Sequence, residues 1–573
     1  MYPGSYKKRF HADSAYVQCM EDNTMMKCAS AQEAVDLVVR RLGRKIFIVS
    51  PLGIGAGNTY LNCFARYAKD GEIDMSVLTA LTLQVPALPG GMKAKLLNPI
   101  FKRVYSRYTT FSFVDECLEA AETGALMPDY LKFNSFYFFP GFSTSVPTAQ
   151  LDYTPINFRD VNDALVKRGA NVVAMKASFR HGKYNCGTNT DIMTRTIRDV
   201  KEAGGIVMLI DTKDMPCCHG DGDIPEELID YVIDSDEPLY SMPHQPLSAV
   251  EHAIGSHITE LIPDGATLQI GIGQMADAIG FWLKKRGRSG INGFSEMISP
   301  AFMYLIRNGV INRRDEKGAL VTGSFVVGSE ELFRYVDGNP DIYMTSVHNT
   351  NSVDVISKLP AFHAVNSTLQ IDLFSQCASE GVIKNGRFMQ YTGMGGQFEF
   401  QESAMKSSGG KSILCLRSAY RNEKGKPLKS NILPVLSNVI GVPRNKMDYV
   451  VTEYGWRCVR FASISERARA MIELADSAYQ PMLLREAKKL GLVQMSYGIP
   501  EECRNNTWAE LEKKFGSISR EYTYPLGLGI DLEAHMTPAE KAIVNAVKDG
   551  AGIFKKLKLL RALKKERSAG GVL

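Results

Sequence analysis

Thr267-Leu-Gln-Ile-Gly-Ile-Gly-Gln-Met-Ala-Asp-Ala278 holds a strand, a glycine turn and the first turn of a helix in one stretch. Thr267 to Ile270 is a short apolar run that favours β structure. Gly271 and Gly273 permit a tight turn, and helical spacing follows from Met275 to Lys285. Upstream, a helix pattern from Ala249 to Ile262 leads in through Pro263-Asp264-Gly265. The same order occurs earlier in the chain. Ser30-Ala-Gln-Glu33 has capping-box spacing, Ala34, Leu37, Val38 and Leu42 form an apolar face, and Gly43 closes that helix. The strand Lys45 to Ser50, the glycine loop Gly53-Ile-Gly55-Ala-Gly57-Asn58 and a helix pattern from Tyr60 to Ala68 come next. Two strand–glycine–helix units in corresponding places predict an α/β protein of two related halves, each an open, mostly parallel sheet.

The organisation expected is an N-terminal segment at 1–29, a first α/β domain at 30–245, a second at 246–495 and a C-terminal extension at 496–573. The division falls in the proline-containing stretch Pro238 to Pro246, and an insertion occupies about 86–142. A chain of 573 residues is too long for one core, and 45% hydrophobic with 23% charged residues is a globular balance. The net charge of +5 is concentrated: Lys555 to Arg567 holds seven basic residues and one acid. The remainder is close to neutral, so no nucleic-acid partner is expected. No apolar run reaches the length of a membrane span. Eleven cysteines, odd in number and irregularly spaced, with no secretory apolar region at the start, predict reduced thiols. A cytoplasmic location follows, with the mitochondrial matrix as the alternative.

Four constellations could carry chemistry. Gly271-Ile-Gly273-Gln-Met-Ala276 fits a dinucleotide fingerprint, with Glu296 downstream as its acid. Glu296 suits that role poorly. Ile291 to Ser295 is short and polar, and Ser299-Pro300 opens a new helix at once, which places Glu296 on a turn. Tyr391-Thr-Gly393-Met-Gly395-Gly396-Gln397 precedes a helix, where glycine N–H groups can approach an oxyanion or phosphate; a tight turn is the plainer reading. Cys217-Cys218-His219 invites a metal, but adjacent cysteines ligate one ion poorly, and no metal is expected. Glu453, after the strand Val450 to Thr452, reads by itself as a structural carboxylate.

Taken together, and in this order, these segments resemble the acetyl-CoA hydrolase/transferase family, including 4-hydroxybutyrate and acetate CoA-transferases. The matching stretches are Leu268 to Gly273 with Asp277-Ala278, Ser295-Glu-Met-Ile-Ser299, Asn366 to Leu373, Tyr391 to Gln397, Val451 to Gly455 and Ser465 to Ala470. Asp152-Tyr-Thr-Pro155 and Met215 to Asp221 look like segments of its first half, and the resemblance spans roughly 30–495. Three departures stand out. Phe294 occupies a place commonly held by histidine, Cys217-Cys218 replaces an Arg-Thr pair, and the chain is longer than usual.

The resemblance implies the class I CoA-transferase fold with its site between the halves. It implies an acyl-CoA:carboxylate CoA-transferase acting on acetyl-CoA or a similar short-chain thioester through a covalent glutamyl-CoA intermediate. By the same likeness Glu296 is the nucleophile, and the Gly396 N–H with the Asn351 amide forms the oxyanion hole, Asn349 being the alternative to Asn351. Glu453 would orient groups near Glu296, and Gly271, Gly273 and Gly395 would line the coenzyme side. Coenzyme A enters as substrate, a carboxylate is the acceptor, neither metal nor ATP is required, and a homodimer is expected. The alternatives are an acetyl-CoA hydrolase using the same Glu296, a Rossmann-type oxidoreductase, and a silent binding protein. The twelve aromatic residues of 101–142 read as the core of an inserted subdomain or as a wall of the acyl pocket. In the tail, Ile553, Phe554, Leu557, Leu560 and Leu563 recur at helical spacing among basic residues. That stripe packs on protein, or makes weak contact with an anionic membrane surface.

Overall fold

The computed structural model describes residues 25–86, 91–242, 246–422, 425–522 and 535–548. The apolar stripe of the tail lies outside them. In the first half, seven strands run in the spatial order Met26–Lys27, Tyr231–Ser235, Ile206–Thr212, Val172–Arg180, Lys45–Val49, Asp74–Thr79, Leu131–Ser135. All of these pairings are parallel. Ile206 to Ile210 and Val172 to Ala177 are buried without interruption, as strands covered on both faces must be.

The second half repeats the plan. Its order is Ile342–Met344, Val321–Gly323, Asn292–Phe294, Thr267–Gln269, Phe362–Ser367, Lys411–Cys415, Tyr449–Thr452, Gly455–Cys458, with only the last strand antiparallel. In each half a central strand (Lys45–Val49 or Thr267–Gln269) is extended by its successors to one side, and the chain then crosses to the other. That crossing leaves a crevice at the carboxyl ends of the two central strands, the usual ligand place in such sheets.

The aromatic stretch is not set apart from the first half. Leu131–Ser135 pairs in register with Asp74–Thr79 as the sheet's last strand. Phe111, Phe113 and Phe133 pack ring to ring at 6.0–6.1 Å beneath it. Ser30 caps the first helix as its spacing predicts, its Oγ accepting the Glu33 N–H at 3.2 Å. The segment that suggested a metal is a clasp between the halves. His219 C=O accepts the Met344 N–H and Met344 C=O accepts the Asp221 N–H, both at 2.8 Å, while Cys217 N–H donates to Asp337 at 2.7 Å. No group of three or more His, Cys, Asp or Glu side chains among the described residues gathers as a metal would need. The described cysteines are free thiols. Among the described residues no helix is long and apolar enough to cross a membrane.

The extension also joins the halves. Trp508–Glu521 lies on Ala249–Glu260 and Gln274–Lys285, with Trp282 against Phe515 at 6.0 Å and Phe281 against Tyr522 at 4.9 Å. Helix Pro538–Lys548 then returns to the first half, where Arg103 pairs with Glu540.

Candidate active site

A cavity of about 240 Å³ opens at the second half's crevice. Ile270, Gly271, Asn366 and Ser367 form its floor, and Leu52, Leu81, Phe136 and Tyr137 close it from the first half. Glu296 stands on its wall, in the turn that follows Asn292–Phe294. That turn is pinned from the next strand connection. The Glu296 C=O accepts the Ser324 N–H (3.0 Å), the Phe325 N–H (3.1 Å) and the Ser324 hydroxyl (2.7 Å). Ser295 Oγ donates to Ile270 C=O at 3.0 Å, fixing the other side. The side chain is therefore aimed by backbone bonds and not by its own rotamer alone.

Asn351 Nδ2 donates to Glu296 Oε2 at 2.5 Å. Asn351 is fully buried, and its Oδ1 accepts the Thr350 hydroxyl at 2.9 Å, which leaves the amide N–H₂ facing the carboxylate. Of the two asparagines the sequence left open, Asn351 is the one at Glu296; Asn349 is exposed and bonds Thr345. Gly396 heads the helix Gln397–Lys406 and packs so closely that any Cβ would overlap Asn351 Nδ2, Glu296 Oε2 and the Phe400 ring. Gly395 adopts φ 56°, a left-handed conformation open to glycine, and lines the cavity beside Tyr137.

Enclosure pushes the Glu296 carboxyl up to about 7, against the stabilising bond from Asn351 and with a further push from the Asp191 carboxylate. Burial also raises Asp191 to about 7, although Asn189 and the Ile192 N–H donate to it at 2.9 and 2.6 Å. Glu399, on the helix behind Gly396, is raised to about 7 by burial, with Glu296 adding to the rise. Glu296 thus feels the charge of Asp191, and Glu399 that of Glu296.

Two expected residues are not brought to the cavity. Gly273 falls outside the lining, and its φ of 81° serves the turn into Gln274–Lys285. Glu453 turns away. Its carboxylate accepts the Ser418 N–H and hydroxyl, both at 2.8 Å, and pairs with Arg421 at 3.1 Å, which also holds Asp476. Tyr137 and Phe136 come from the aromatic stretch, one reading of which is a wall of the pocket. Two neighbours were missed. Asp191 and Glu399 reach the site through tertiary packing; the polar run Asn185 to Asp191 and the position of Glu399 just after Gly396 were the available signals.

Two doubly wound α/β halves with a lone carboxylate on the wall between them define the CoA-transferase fold. Comparison with known proteins agrees. Residues 328–487 match the model of the acetyl-CoA hydrolase/transferase C-terminal domain. A 4-hydroxybutyrate coenzyme A transferase of Clostridium kluyveri is 34% identical over 354 residues, 60% of this chain and 79% of that protein. An acetyl-CoA hydrolase of Neurospora crassa is 24% identical over 271 residues, 45% of this chain and 49% of that one. The solved 4-hydroxybutyrate CoA-transferase of Porphyromonas gingivalis superposes with a TM-score of 0.58 at 25% identity, over 82% of this chain and 99% of that one. The chain belongs to the acetyl-CoA hydrolase/transferase family of enzymes.

Proposed function

We propose that the protein is an acyl-CoA:carboxylate CoA-transferase working through a glutamyl-CoA thioester at Glu296. The observation that carries this reading is one carboxylate on the wall of an otherwise uncharged cavity, set against the Asn351 amide and the Gly396 backbone. A carboxylate nucleophile suits an exchange between two carboxylic acids. Glu296 attacks the thioester carbonyl and coenzyme A leaves as thiolate, giving a mixed anhydride. The thiolate then attacks the glutamyl carbonyl, the substrate's carboxylate departs, and the glutamyl-CoA thioester remains. An acceptor carboxylate runs both steps in reverse and frees Glu296. Each addition builds an oxyanion, for which the Asn351 amide and the Gly396 N–H would be the donors, worth about 3–4 kcal/mol each. A carboxyl raised to about 7 is a stronger nucleophile than an ordinary glutamate and is still substantially ionised near neutrality.

The test is incubation with acyl-CoA without acceptor, borohydride reduction and peptide mapping. Reduction of a glutamyl thioester at Glu296 is expected, and Glu296→Ala should lose transfer by about 10⁴-fold or more. Labelling elsewhere, or turnover with none, rejects the assignment. Coenzyme A release that is fast and indifferent to added acetate would make the enzyme a hydrolase with the same nucleophile.

A further inference from the structure

The cavity wall is selective in its chemistry. Glu296 is its one formal charge: among the described residues no lysine, arginine or histidine lines it. Arg159, next in sequence to Phe158, stands outside the lining. The end roofed by the first half is aromatic. Phe136 stacks on Phe158 at 5.6 Å, and Phe158 meets Phe325 of the second half edge-on at 5.9 Å. Leu81 also faces the cavity, from a left-handed backbone of φ 45° held by its N–H bond to Tyr137 C=O at 2.8 Å. An unfavourable conformation kept by a branched, apolar residue at a site is a mark of function. Three of the neutral polar side chains in the lining donate elsewhere. Asn366 donates to Gln269 at 3.2 Å, Ser295 to Ile270 C=O at 3.0 Å, and Gln397 to Ser367 C=O at 3.4 Å. Two residues before Glu296, Phe294 is buried against Phe362.

We infer that the groups this site accepts are monocarboxylates with apolar tails, of the butyryl class, and that dicarboxylates such as succinate are rejected. The inference rests on the transferase reading and sharpens it. A tail of methylene and methyl groups finds only ring and aliphatic surface at the far end, which favours longer alkyl chains over acetate. A second carboxylate would sit there without a counter-ion. It would also lie in the enclosure that already disfavours charge on Glu296, so it meets both desolvation and like-charge repulsion.

Butyrate and succinate have equal carbon chains, which makes them the decisive pair. With the full-length enzyme, each is measured as acceptor from acetyl-CoA, and butyryl-CoA and succinyl-CoA are measured as donors to acetate. Butyrate and its thioester should exceed the succinate pair about 100-fold in kcat/KM. Each methylene between acetate and butyrate should raise kcat/KM up to about fourfold, the equivalent of ~0.8 kcal/mol. A butyrate-to-succinate ratio below ten overturns the inference while leaving the transferase intact. If no thioester turns over with any acid, the transferase reading fails instead. Thermal shifts with butyryl-CoA and succinyl-CoA still decide the wall's selectivity: a clear excess for butyryl-CoA upholds it, and equal shifts overturn it.

Discussion

The two halves carry glycine loops at the same place in the same sheet plan, and only one is open. In the first half the loop Gly53 to Asn58 is buried and its donors are spent. Gly55 N–H bonds Asn189 Oδ1 and Gly57 N–H bonds Ser50 Oγ, both at 3.0 Å. Asn189 also donates to Leu52 C=O at 3.0 Å, so residues 185–191 stopper this crevice. In the second half, a Cβ on Gly271 or Gly273 would meet nothing within 4 Å. The fold supplies a crevice twice; whether it becomes a site depends on what another segment puts into it.

Substituting glycines on the two sides breaks or sharpens this contrast. The largest effect is expected at Gly396→Ala, which places a methyl group on Glu296 and Asn351. By displacing the Glu296 carboxylate and the Asn351 amide it should lower kcat about 10²–10³-fold, as much as the loss of one oxyanion donor, in a variant whose circular dichroism shows it folded. Unchanged kcat in the folded variant removes Gly396 from the chemistry. Gly57→Ala should do the opposite. Its Cβ would overlap the Ala174 and Met175 backbone, costing about 1–3 kcal/mol or more in urea unfolding, with kcat per folded molecule little changed. A variant as stable as wild type would show that the first crevice has slack.

Next in size is the pH response. Glu296 has a folded pKa of about 7, above the usual glutamate value. Its protonated form is the one the fold favours, so its contribution to stability is complete below the unfolded value and is lost as pH rises through about 7. Activity needs the ionised form, so kcat/KM should rise with pH and level off above about 7, with Asp191 and Glu399 broadening the profile. Glu296→Gln should gain stability over wild type between about pH 5 and 8, on the order of 2 kcal/mol. A flat rate profile across that range would show that Glu296 titrates elsewhere. The smallest effect belongs to Gly271→Ala. Stability should stay within about 0.5 kcal/mol, and only the KM for acyl-CoA should rise, because the methyl group projects into open space on the coenzyme's path. Equal KM values would take Gly271 out of that path.

Much of this was legible because parallel α/β sheets write themselves locally: apolar strand, glycine turn, capped helix. Glu296 on a turn before Pro300 could be placed from the helix start alone, and its role came from likeness to a family. The limits were of one kind. Glu453 carries a recognisable motif, yet Ser418 and Arg421, distant in sequence, decide where its carboxylate points. The aromatic stretch read as an insertion because its strand, Leu131–Ser135, finds its partner across the long helical connection from Asp74–Thr79. Tyr137 and Asp191 entered the site with that packing. Local patterns specify elements, whereas a site between two sheets is specified by contacts no window of sequence contains.

Arg103 and Glu540 stand 437 positions apart, and that separation orders events in time. The strands of the first sheet are all in hand once Ser235 has been made, but the helix that returns to Arg103 does not exist until Pro538–Lys548 has been made. At about 10 residues per second, the helix Gly91–Val104 waits roughly three-quarters of a minute for its partner during synthesis. Long-range closure of this kind is slow to nucleate, so the Arg103–Glu540 contact should settle after both crevices have formed and one of them has been filled.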